Sequence, residues 1–175
     1  AQGVNSPTFT ADVGYNSNGT SSYIDTQFKQ SVNGILFSRN SVGFGFKLSG
    51  TVSSGGHGSD HGPGCTHMYI DNPRVTTGTG IGAVGSNISV GYEHINRSSS
   101  TTIQRFHDNT YNSLDKASNS DGVGTTNMKM FWIEAGAPFR SNSAQILECY
   151  WMSSSMSLSK FLTFQTIMNT YFASF

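Results

Sequence analysis

The segment 145–175 carries the pattern that most constrains how this chain can fold. Residues 146–152 are bulky and mostly apolar over the length of one β-strand. The serines at 153–155 favour a turn, because their hydroxyls compete for backbone hydrogen bonds, and Ser157 is a candidate helix N-cap. Apolar residues then recur at helical spacing, at Leu158, Phe161, Leu162, Phe164, Ile167, Met168, Tyr171, Phe172 and Phe175. A helix this apolar needs a large apolar surface to pack on, and we expect that surface to be a β-sheet.

The rest of the chain shows strand patterns separated by turn-forming residues. The runs predicted as strands are 8–13, 22–28, 35–38, 42–48, 66–71, 74–77, 87–93, 101–107, 110–114 and 129–136. The run at 35–38 is expected to be short and buried. Gly43 and Gly45 alternate with Phe44 and Phe46, which predicts a bulge or a close backbone approach. With no helical pattern before the end, the chain is predicted to be all-β, a two-sheet antiparallel sandwich with one C-terminal amphipathic helix.

Composition limits the class of partner. Ser, Thr, Asn and Gly make up 78 of the 175 residues, while ten basic residues balance ten acidic ones. A nucleic-acid binder or a polybasic membrane-surface protein would carry an excess of positive charge, so we expect neither nucleic acid nor membrane as a partner. The 12 Phe and 7 Tyr residues are too many for a disordered chain. This polar but uncharged composition is typical of extracellular or virion-surface β proteins.

Several short motifs resemble one known group of domains. They are Tyr23-Ile24-Asp25-Thr26-x-Phe28, Asn40-Ser41-Val42-Gly43, a late strand with a Gly-Ala turn, and the closing strand–serine–helix unit. Together they resemble the concanavalin A/laminin-G-like jelly-roll domains of phage structural proteins of the head or tail, notably in phages that infect Bacteroidetes. The resemblance implies a lectin-like jelly roll over 21–175. Residues 1–20 are then an N-terminal segment, and continuation from an upstream region is one interpretation of it.

The closing unit departs from that group's pattern at several positions. Met156-Ser157 stands where the group has Leu-Thr, and Lys160 stands where it has Glu at the third helical position. Residues 149–151 are Cys, Tyr and Trp where the group has small residues. The shared motifs are structural, and none of them is a catalytic signature.

One loop gathers residues of the types that hold metal ions. The stretch 57–67 contains His57, Asp60, His61, Cys65 and His67, with glycines between them. Imidazole, carboxylate and thiolate are the ligands that a transition metal prefers. The spacing matches no standard zinc signature, so a solvated polar loop is the favoured interpretation. We expect no cofactor, with a metal or calcium ion as the alternative.

Carbohydrate binding is a second hypothesis for the loops. Lectin-like sandwiches bind glycans with aromatic platforms and with Asn or Asp side chains, in some cases through calcium. Residues of these types lie at Asp71, Asn72, Asp108, Asn109, Tyr111 and Asn112. The same types build turns, so a turn without a ligand stays open. Trp132 and Trp151 lie in the two most apolar strand runs and are predicted to be structural, as are Ser157, Phe161, Phe164 and Met168.

The carboxylates do not predict an enzyme. Glycoside hydrolysis needs two carboxyls facing each other across a cleft, and Glu93, Glu134 and Glu148 are isolated in different predicted strands. Each is expected to face outward or to pair with an Arg.

The chain is therefore predicted to be a non-enzymatic phage virion component, located at the virion surface. Its expected role is structural, decorating or host-surface-binding. A secreted bacterial carbohydrate-binding module or adhesin domain is the alternative. Expected partners are other virion proteins, copies of itself in a homo-oligomer with a trimer favoured, and host surface polysaccharide.

Overall fold

The computed structural model describes residues 1–11, 13–18, 21–36, 40–49, 56–58, 67–69, 74–75, 82–83, 90–99, 101–115, 126–133, 139–140 and 146–174. Within them the chain is mostly β-structure, with one long helix at the C-terminal end. The elements are β1 (Gln2–Val4), β2 (Thr8–Thr10), β3 (Gly14–Asn16), β4 (Tyr23–Lys29), α1 (Gln30–Asn33), β5 (Val42–Ser49), β6 (Gly56–Gly58), β7 (His67–Tyr69), β8 (Arg74–Val75), β9 (Gly82–Ala83), β10 (Gly91–Arg97), β11 (Thr102–His107), β12 (Thr110–Asp115), β13 (Asn127–Met130), β14 (Trp132–Ile133), β15 (Phe139–Arg140), β16 (Ile146–Ser153) and α2 (Leu158–Phe172).

The strands form two large sheets and one small one, and the described pairs are antiparallel. The first sheet has the order β1-β4-β13-β6-β7-β8-β9, in which the last four strands are short. The second sheet has the order β12-β11-β10-β5-β16-β3-β2, and β14 pairs with β15. In the second sheet β5 is central, paired along its length with β10 on one side and β16 on the other. This is a β-sandwich-like architecture, as the strand pattern predicts.

The core between the sheets is built from alternate residues of strands in both. On β5, Phe44, Phe46 and Leu48 are buried, and they share a cluster with Met128 and Met130 of the first sheet. The whole cluster is Ile24, Phe44, Phe46, Leu48, Ile95, Ile103, Met128, Met130, Phe131 and Leu147. Burial of a side chain of this size stabilises a fold by about 1.5–3 kcal/mol. Among the described residues this is the larger of the two apolar clusters, and we expect it to contribute much of the stability of the sandwich.

Helix α2 covers the outer face of the second sheet. On β10 and β11, Ile95 and Ile103 point into the core between the sheets, whereas Tyr92 and Phe106 lie in a second apolar cluster. Tyr92 and Ile95 are three residues apart on β10, as are Ile103 and Phe106 on β11. The two members of each pair therefore point to opposite faces of the sheet. Phe161 of α2 completes the second cluster and is fully buried, with its ring centroid 5.3 Å from that of Phe106. The predicted packing of the terminal helix on a sheet is confirmed.

The start of α2 is also as predicted, whereas its apolar stripe is only partly covered. Ser157 is the N-cap, and its Oγ accepts a hydrogen bond of 3.4 Å from the backbone N–H of Lys160. Ile167 and Tyr171 are 61% and 55% exposed. Neither α1 nor α2, the helices in the described part of the chain, is long and apolar enough to cross a membrane.

A β-bulge at Glu148 decides which residues of β16 face α2. Leu147 pairs with Leu48, but Cys149 pairs with Lys47, so one extra residue stands between them. Side chains after the bulge therefore change face. Tyr150 and Met152 pack against the core between the sheets, whereas Trp151 packs under α2.

Gly45 makes room for the Trp151 ring. A Cβ at Gly45 would collide with the Trp151 indole and with the carbonyl oxygen of Glu93. The predicted close approach at the glycines of β5 is therefore confirmed for Gly45, and the object that approaches is an aromatic ring.

Three strand predictions need correction. The predicted short buried strand at 35–38 is wrong, because the chain leaves β4 through the turn of α1 and Ile35 and Leu36 are 95% and 74% exposed. A four-residue apolar run has no periodicity that could reveal exposure. The predicted strand at 129–136 is interrupted at Phe131, whose φ is +66°. The predicted strand at 87–93 overlaps β10, which begins at Gly91 and ends at Arg97, four residues beyond the predicted end. Residues 37–38, 87–89 and 134–136 lie outside the described residues.

The N-terminal segment 1–20 contributes to both sheets. β1 pairs with β4 in the first sheet, and the β2–β3 hairpin joins the second sheet through β16. The pairing of Leu147 with Tyr15 joins residues from opposite ends of the chain.

Candidate functional site

The end of the β11–β12 hairpin brings together three of the predicted glycan-binding residues. Asp108 and Asn109 form the turn between the strands, and Tyr111 follows on β12. Asn109 is exposed, and Tyr111 is 43% exposed. The Tyr111 ring is stacked on Phe106, with 5.4 Å between ring centroids. An exposed aromatic ring supported in this way can serve as a platform for a sugar ring.

Gln104 holds Tyr111 in place and was not predicted. Its Nε2 donates to the Tyr111 hydroxyl at 3.1 Å, and its Oε1 accepts from Asn96 Nδ2 at 2.6 Å. Asn96 Oδ1 in turn accepts from the backbone N–H of Met156, just before α2, at 2.8 Å. This chain of hydrogen bonds connects the exposed ring to the start of the helix. The pairing of Phe106 with Tyr111 places Gln104, two residues earlier on β11, on the same face, but this register is not visible in the sequence.

Asp108 is used by the fold itself. Its Oδ1 accepts from the backbone N–H of Tyr92 at 3.0 Å and from Nε2 of Gln165, on α2, at 3.3 Å. Its backbone has a φ of +44°, and its carboxylate lies where a Cβ of Gly91 would stand. Asp108 therefore connects the hairpin turn to β10 and α2. Its side chain is still 41% exposed, so it faces solvent beside Asn109 and the Tyr111 ring.

The other predicted site residues are placed only in part. The side chain of Asn112, on β12, and that of Trp132, on β14, lie outside the described residues, as do Asp71 and Asn72 entirely. Of the predicted metal ligands, Asp60, His61 and Cys65 lie outside them too. The backbones of His57 and His67 lie on the paired strands β6 and β7, where Gly58 is opposite His67. Metal binding by this loop stays a prediction.

A buried ion pair lies on the inner side of β10 and β11. Glu93 is fully buried, and it accepts from Nε and Nη2 of Arg105 at 2.9 and 2.5 Å. His107 Nδ1 lies 2.8 Å from Glu93 Oε1. The hydrogen bond with Glu93, together with the charges of Glu93 and Asp108, raises the pKa of His107 against the opposing effect of burial. The predicted role of Glu93 as the partner of an Arg is confirmed, and its carboxylate is engaged by neighbouring side chains.

A neutral histidine is enclosed beneath α2. His94 is fully buried, and its ring lies 5.8, 6.0 and 5.7 Å, centroid to centroid, from those of Phe106, Trp151 and Phe161. Its Nδ1 accepts a hydrogen bond of 3.1 Å from Trp151 Nε1. Burial lowers the pKa of His94 to about 3. The residue belongs to the packing of the helix, and no feature of the sequence distinguished it.

An open apolar cleft of about 490 Å³ lies between the β2–β3 hairpin, β16 and the C-terminal half of α2. Its lining residues are Phe9, Val13, Gly14, Glu148, Cys149, Met168, Tyr171 and Phe172. Lys47 Nζ lies 2.5 Å from Glu148 Oε2 and 4.1 Å from the centroid of the Phe172 ring. Burial raises the pKa of the Cys149 thiol to about 11, so the thiol is protonated at neutral pH. The cleft therefore offers mainly apolar contact, with its carboxylate paired to a lysine.

Known proteins provide no guide to the function of this chain, so the function has to be argued from its own residues. Comparison with protein-family models, with curated proteins and with solved structures finds no match to the chain.

Proposed function

We propose that this protein is a non-enzymatic, lectin-like jelly-roll component of a phage virion. Its role is to decorate the particle or to contact polysaccharide on the host surface. The proposal rests on the motif resemblance over 21–175 and on a β-sandwich-like architecture closed by a C-terminal helix. The geometry at the end of the β11–β12 hairpin supports the binding role.

The observation that carries the binding role is the pre-organised ring of Tyr111. The ring is 43% exposed, it stacks on the buried Phe106, and Gln104 holds its hydroxyl. A platform that is already ordered loses little conformational entropy when it binds a sugar. Exposed Asn109, in the adjacent turn, offers both a hydrogen-bond donor and an acceptor to sugar hydroxyls.

The partners of Glu93 and Glu148, two of the glutamates considered for hydrolysis, favour binding over hydrolysis. Glu93 is engaged by Arg105 and His107, and Glu148 by Lys47. A hydrolase of the two-carboxylate type needs one carboxyl to hold a transferable proton and a second to act on the anomeric carbon or on water. Neither glutamate is free for such a role in this arrangement.

Affinity electrophoresis in gels that contain host capsular or surface polysaccharide tests the binding role. We expect the wild-type protein to be retarded. Tyr111→Ala should weaken the binding about two- to tenfold, as expected for losing one aromatic contact of about 0.5–1.5 kcal/mol. Tyr171→Ala is the matched control, since Tyr171 is 55% exposed and lines the apolar cleft at the C-terminal half of α2. Equal mobility of the wild type with and without polysaccharide would contradict the binding role.

The virion assignment has its own test. Antibodies raised against the purified protein should label phage particles, and mass spectrometry of those particles should find the chain in many copies. A protein that binds polysaccharide but is missing from particles would instead be a secreted carbohydrate-binding module, the alternative hypothesis.

A further inference from the structure

A carboxylate lies beside the aromatic platform of the candidate glycan site. Asp108 precedes Tyr111 by three residues, and its side chain is 41% exposed. Its Oδ1 accepts from the backbone N–H of Tyr92 and from Gln165. Within the described part of the chain Oδ2 accepts no hydrogen bond, and the nitrogen that faces it is Nε2 of His107, at 3.7 Å. One oxygen of this carboxylate is therefore available to a ligand.

The carboxylate and the platform lie on the same side of the second sheet, the side that α2 covers. Tyr111 stacks on Phe106, and the Phe106 ring lies 5.3 Å from that of Phe161 on α2. Gln165, which donates to the Asp108 carboxylate, is one turn after Phe161 on the same helix. A sugar stacked on the Tyr111 ring therefore lies close to a negative charge.

The basic side chains on the described elements around the site do not offset this charge. Arg105 of β11 and Lys47 of β5 are each in an ion pair with a glutamate. Arg97 lies at the end of β10 that is far from the hairpin turn, and Lys160 lies in the first turn of α2. Where His107 is neutral, the described residues therefore leave the negative charge of Asp108 at the site.

His107 is the titratable neighbour that can cancel this charge. Its Nδ1 lies 2.8 Å from Glu93 Oε1, so Nδ1 carries a proton and donates to that carboxylate. The proton that the ring gains in acid therefore binds Nε2, which faces Asp108. The charged groups around the ring are Glu93 on β10, Arg105 on β11 and Asp108 in the turn. The hydrogen bond with Glu93, together with the two carboxylate charges, raises the pKa of His107 above 6.5 against the effects of burial and of Arg105.

We propose that Asp108 is a specificity-determining residue of the glycan site, which favours neutral or amino-bearing sugars over sugars that carry a carboxylate or a sulfate. The inference rests on the proposed binding role and names the class of glycan. An anionic group on a sugar at the Tyr111 ring is repelled by the carboxylate, whereas an ammonium group is attracted and can donate to Oδ2. In water, two unit charges about 4 Å apart change an equilibrium constant about fivefold.

A glycan array that carries neutral, amino-bearing and acidic oligosaccharides tests the proposal at low salt. At about pH 8.5 the wild type should bind neutral or amino-bearing glycans. It should bind carboxylated or sulfated relatives of the same glycans at least about fivefold more weakly. Titration with the soluble oligosaccharides gives the two dissociation constants and their ratio, acidic to neutral. Added salt should lower this ratio, because it screens the charges.

Asp108→Asn removes the charge and keeps the hydrogen bonds of Oδ1, since its amide oxygen still accepts from Tyr92 and Gln165. The ratio should fall towards one, mainly through tighter binding of the acidic glycans. Asp25→Asn is the matched control, because it makes the same change in net charge on β4 of the first sheet. It should leave the ratio unchanged. Circular dichroism checks that both variants fold.

The pH dependence of the ratio tests the proposal in the wild-type chain, without a substitution at Asp108. The ratio should fall as the pH is lowered from about 9 to about 6, because the imidazolium of His107 cancels the charge of Asp108. His107→Gln can still donate to Glu93 but carries no charge at any pH. In that variant the ratio should stay high over the whole range.

Three results would overturn the proposal. These are acidic glycans that bind at least as tightly as their neutral relatives at about pH 8.5, a folded Asp108→Asn chain that keeps the wild-type ratio, and a wild-type ratio that does not change with pH. In each case the protein still binds glycans, so the proposed function stands and only the assigned class of glycan fails. A wild type that binds no glycan would overturn the binding role together with this inference.

Discussion

Acid should destabilise this protein through His94, the residue enclosed by Phe106, Trp151 and Phe161. In the unfolded chain His94 takes up a proton as the pH falls through 6.5, whereas in the folded chain burial lowers its pKa to about 3. Between these values the unfolded state binds more protons than the folded state. The stability contributed by neutral His94 is therefore complete above pH 6.5 and is lost progressively as the pH falls towards 3.

The structure sets the size of this effect. The two pKa values of His94 differ by about 3.5, and each unit is equivalent to about 1.4 kcal/mol, so the full loss is about 5 kcal/mol. At about pH 4.5 the loss is already about 3 kcal/mol. Domains of ordinary size have a free energy of unfolding of about 5–15 kcal/mol, so such a loss is large. Protonation also breaks a hydrogen bond, because Nδ1 of an imidazolium cannot accept from Trp151 Nε1.

Urea unfolding of the wild type and of His94→Phe, followed by circular dichroism from about pH 8 to about pH 4.5, isolates this contribution. The phenyl ring keeps the aromatic packing but leaves the Trp151 N–H without an acceptor, so at about pH 8, where His94 is neutral, the variant should be about 1–3 kcal/mol less stable than the wild type. We expect the wild type to lose about 3 kcal/mol more than the variant over this range.

The control for this experiment is internal. Glu93 raises the pKa of His107, so His107 adds stability below pH 6.5 that is lost as the pH rises through its raised value in the folded state. That contribution is opposite in sign and is common to both proteins, so it cancels in the comparison. Parallel pH profiles for the wild type and His94→Phe would refute the reasoning.

Three further predictions concern the free energy of unfolding, measured by urea denaturation at neutral pH. Glu93→Gln should cost about 3–5 kcal/mol, because it removes the negative charge of a fully buried carboxylate that accepts from both Nε and Nη2 of Arg105, and a double replacement of both residues by Met should cost less; equal costs would contradict this. Gly45→Ala should cost about 1–3 kcal/mol, since the added methyl collides with the Trp151 ring and with a neighbouring backbone carbonyl; a neutral substitution would show that the ring can move aside. Ser157→Ala should cost about 1 kcal/mol through loss of the α2 N-cap, and Ser157→Asn should restore most of it; failure of that rescue would argue against a capping role.

The elements that follow from the sequence are those set by neighbouring residues. The closing strand, the serine turn and the helix are each encoded within a few positions. The spacing of apolar residues, the competition of serine hydroxyls for backbone hydrogen bonds and the capping of a helix all depend on residues close together in the chain. For the same reason the strand runs at 42–48 and 101–107, which are β5 and β11 in the structure, could be predicted. The prediction at 35–38 failed where a short apolar run carried no period.

The candidate site was only partly visible in the sequence. Asp108, Asn109 and Tyr111 could be selected by residue type, because turns and sugar sites use the same side chains. Type alone could not show that Asp108 is bound to Tyr92 and Gln165, or that Gln104 holds Tyr111. Those roles depend on strand register and on where α2 lies.

The sequence by itself determined the fold class of this protein, a β-sandwich-like architecture with a terminal helix. Short strands and an apolar terminal helix bury their apolar faces by packing sheet on sheet and helix on sheet. Only the tertiary structure decided which polar and aromatic residues meet. The bulge at Glu148 turns Trp151 towards α2, and Glu93 meets Arg105 across two strands. Such contacts join residues far apart in the chain, and local pattern carries no information about them.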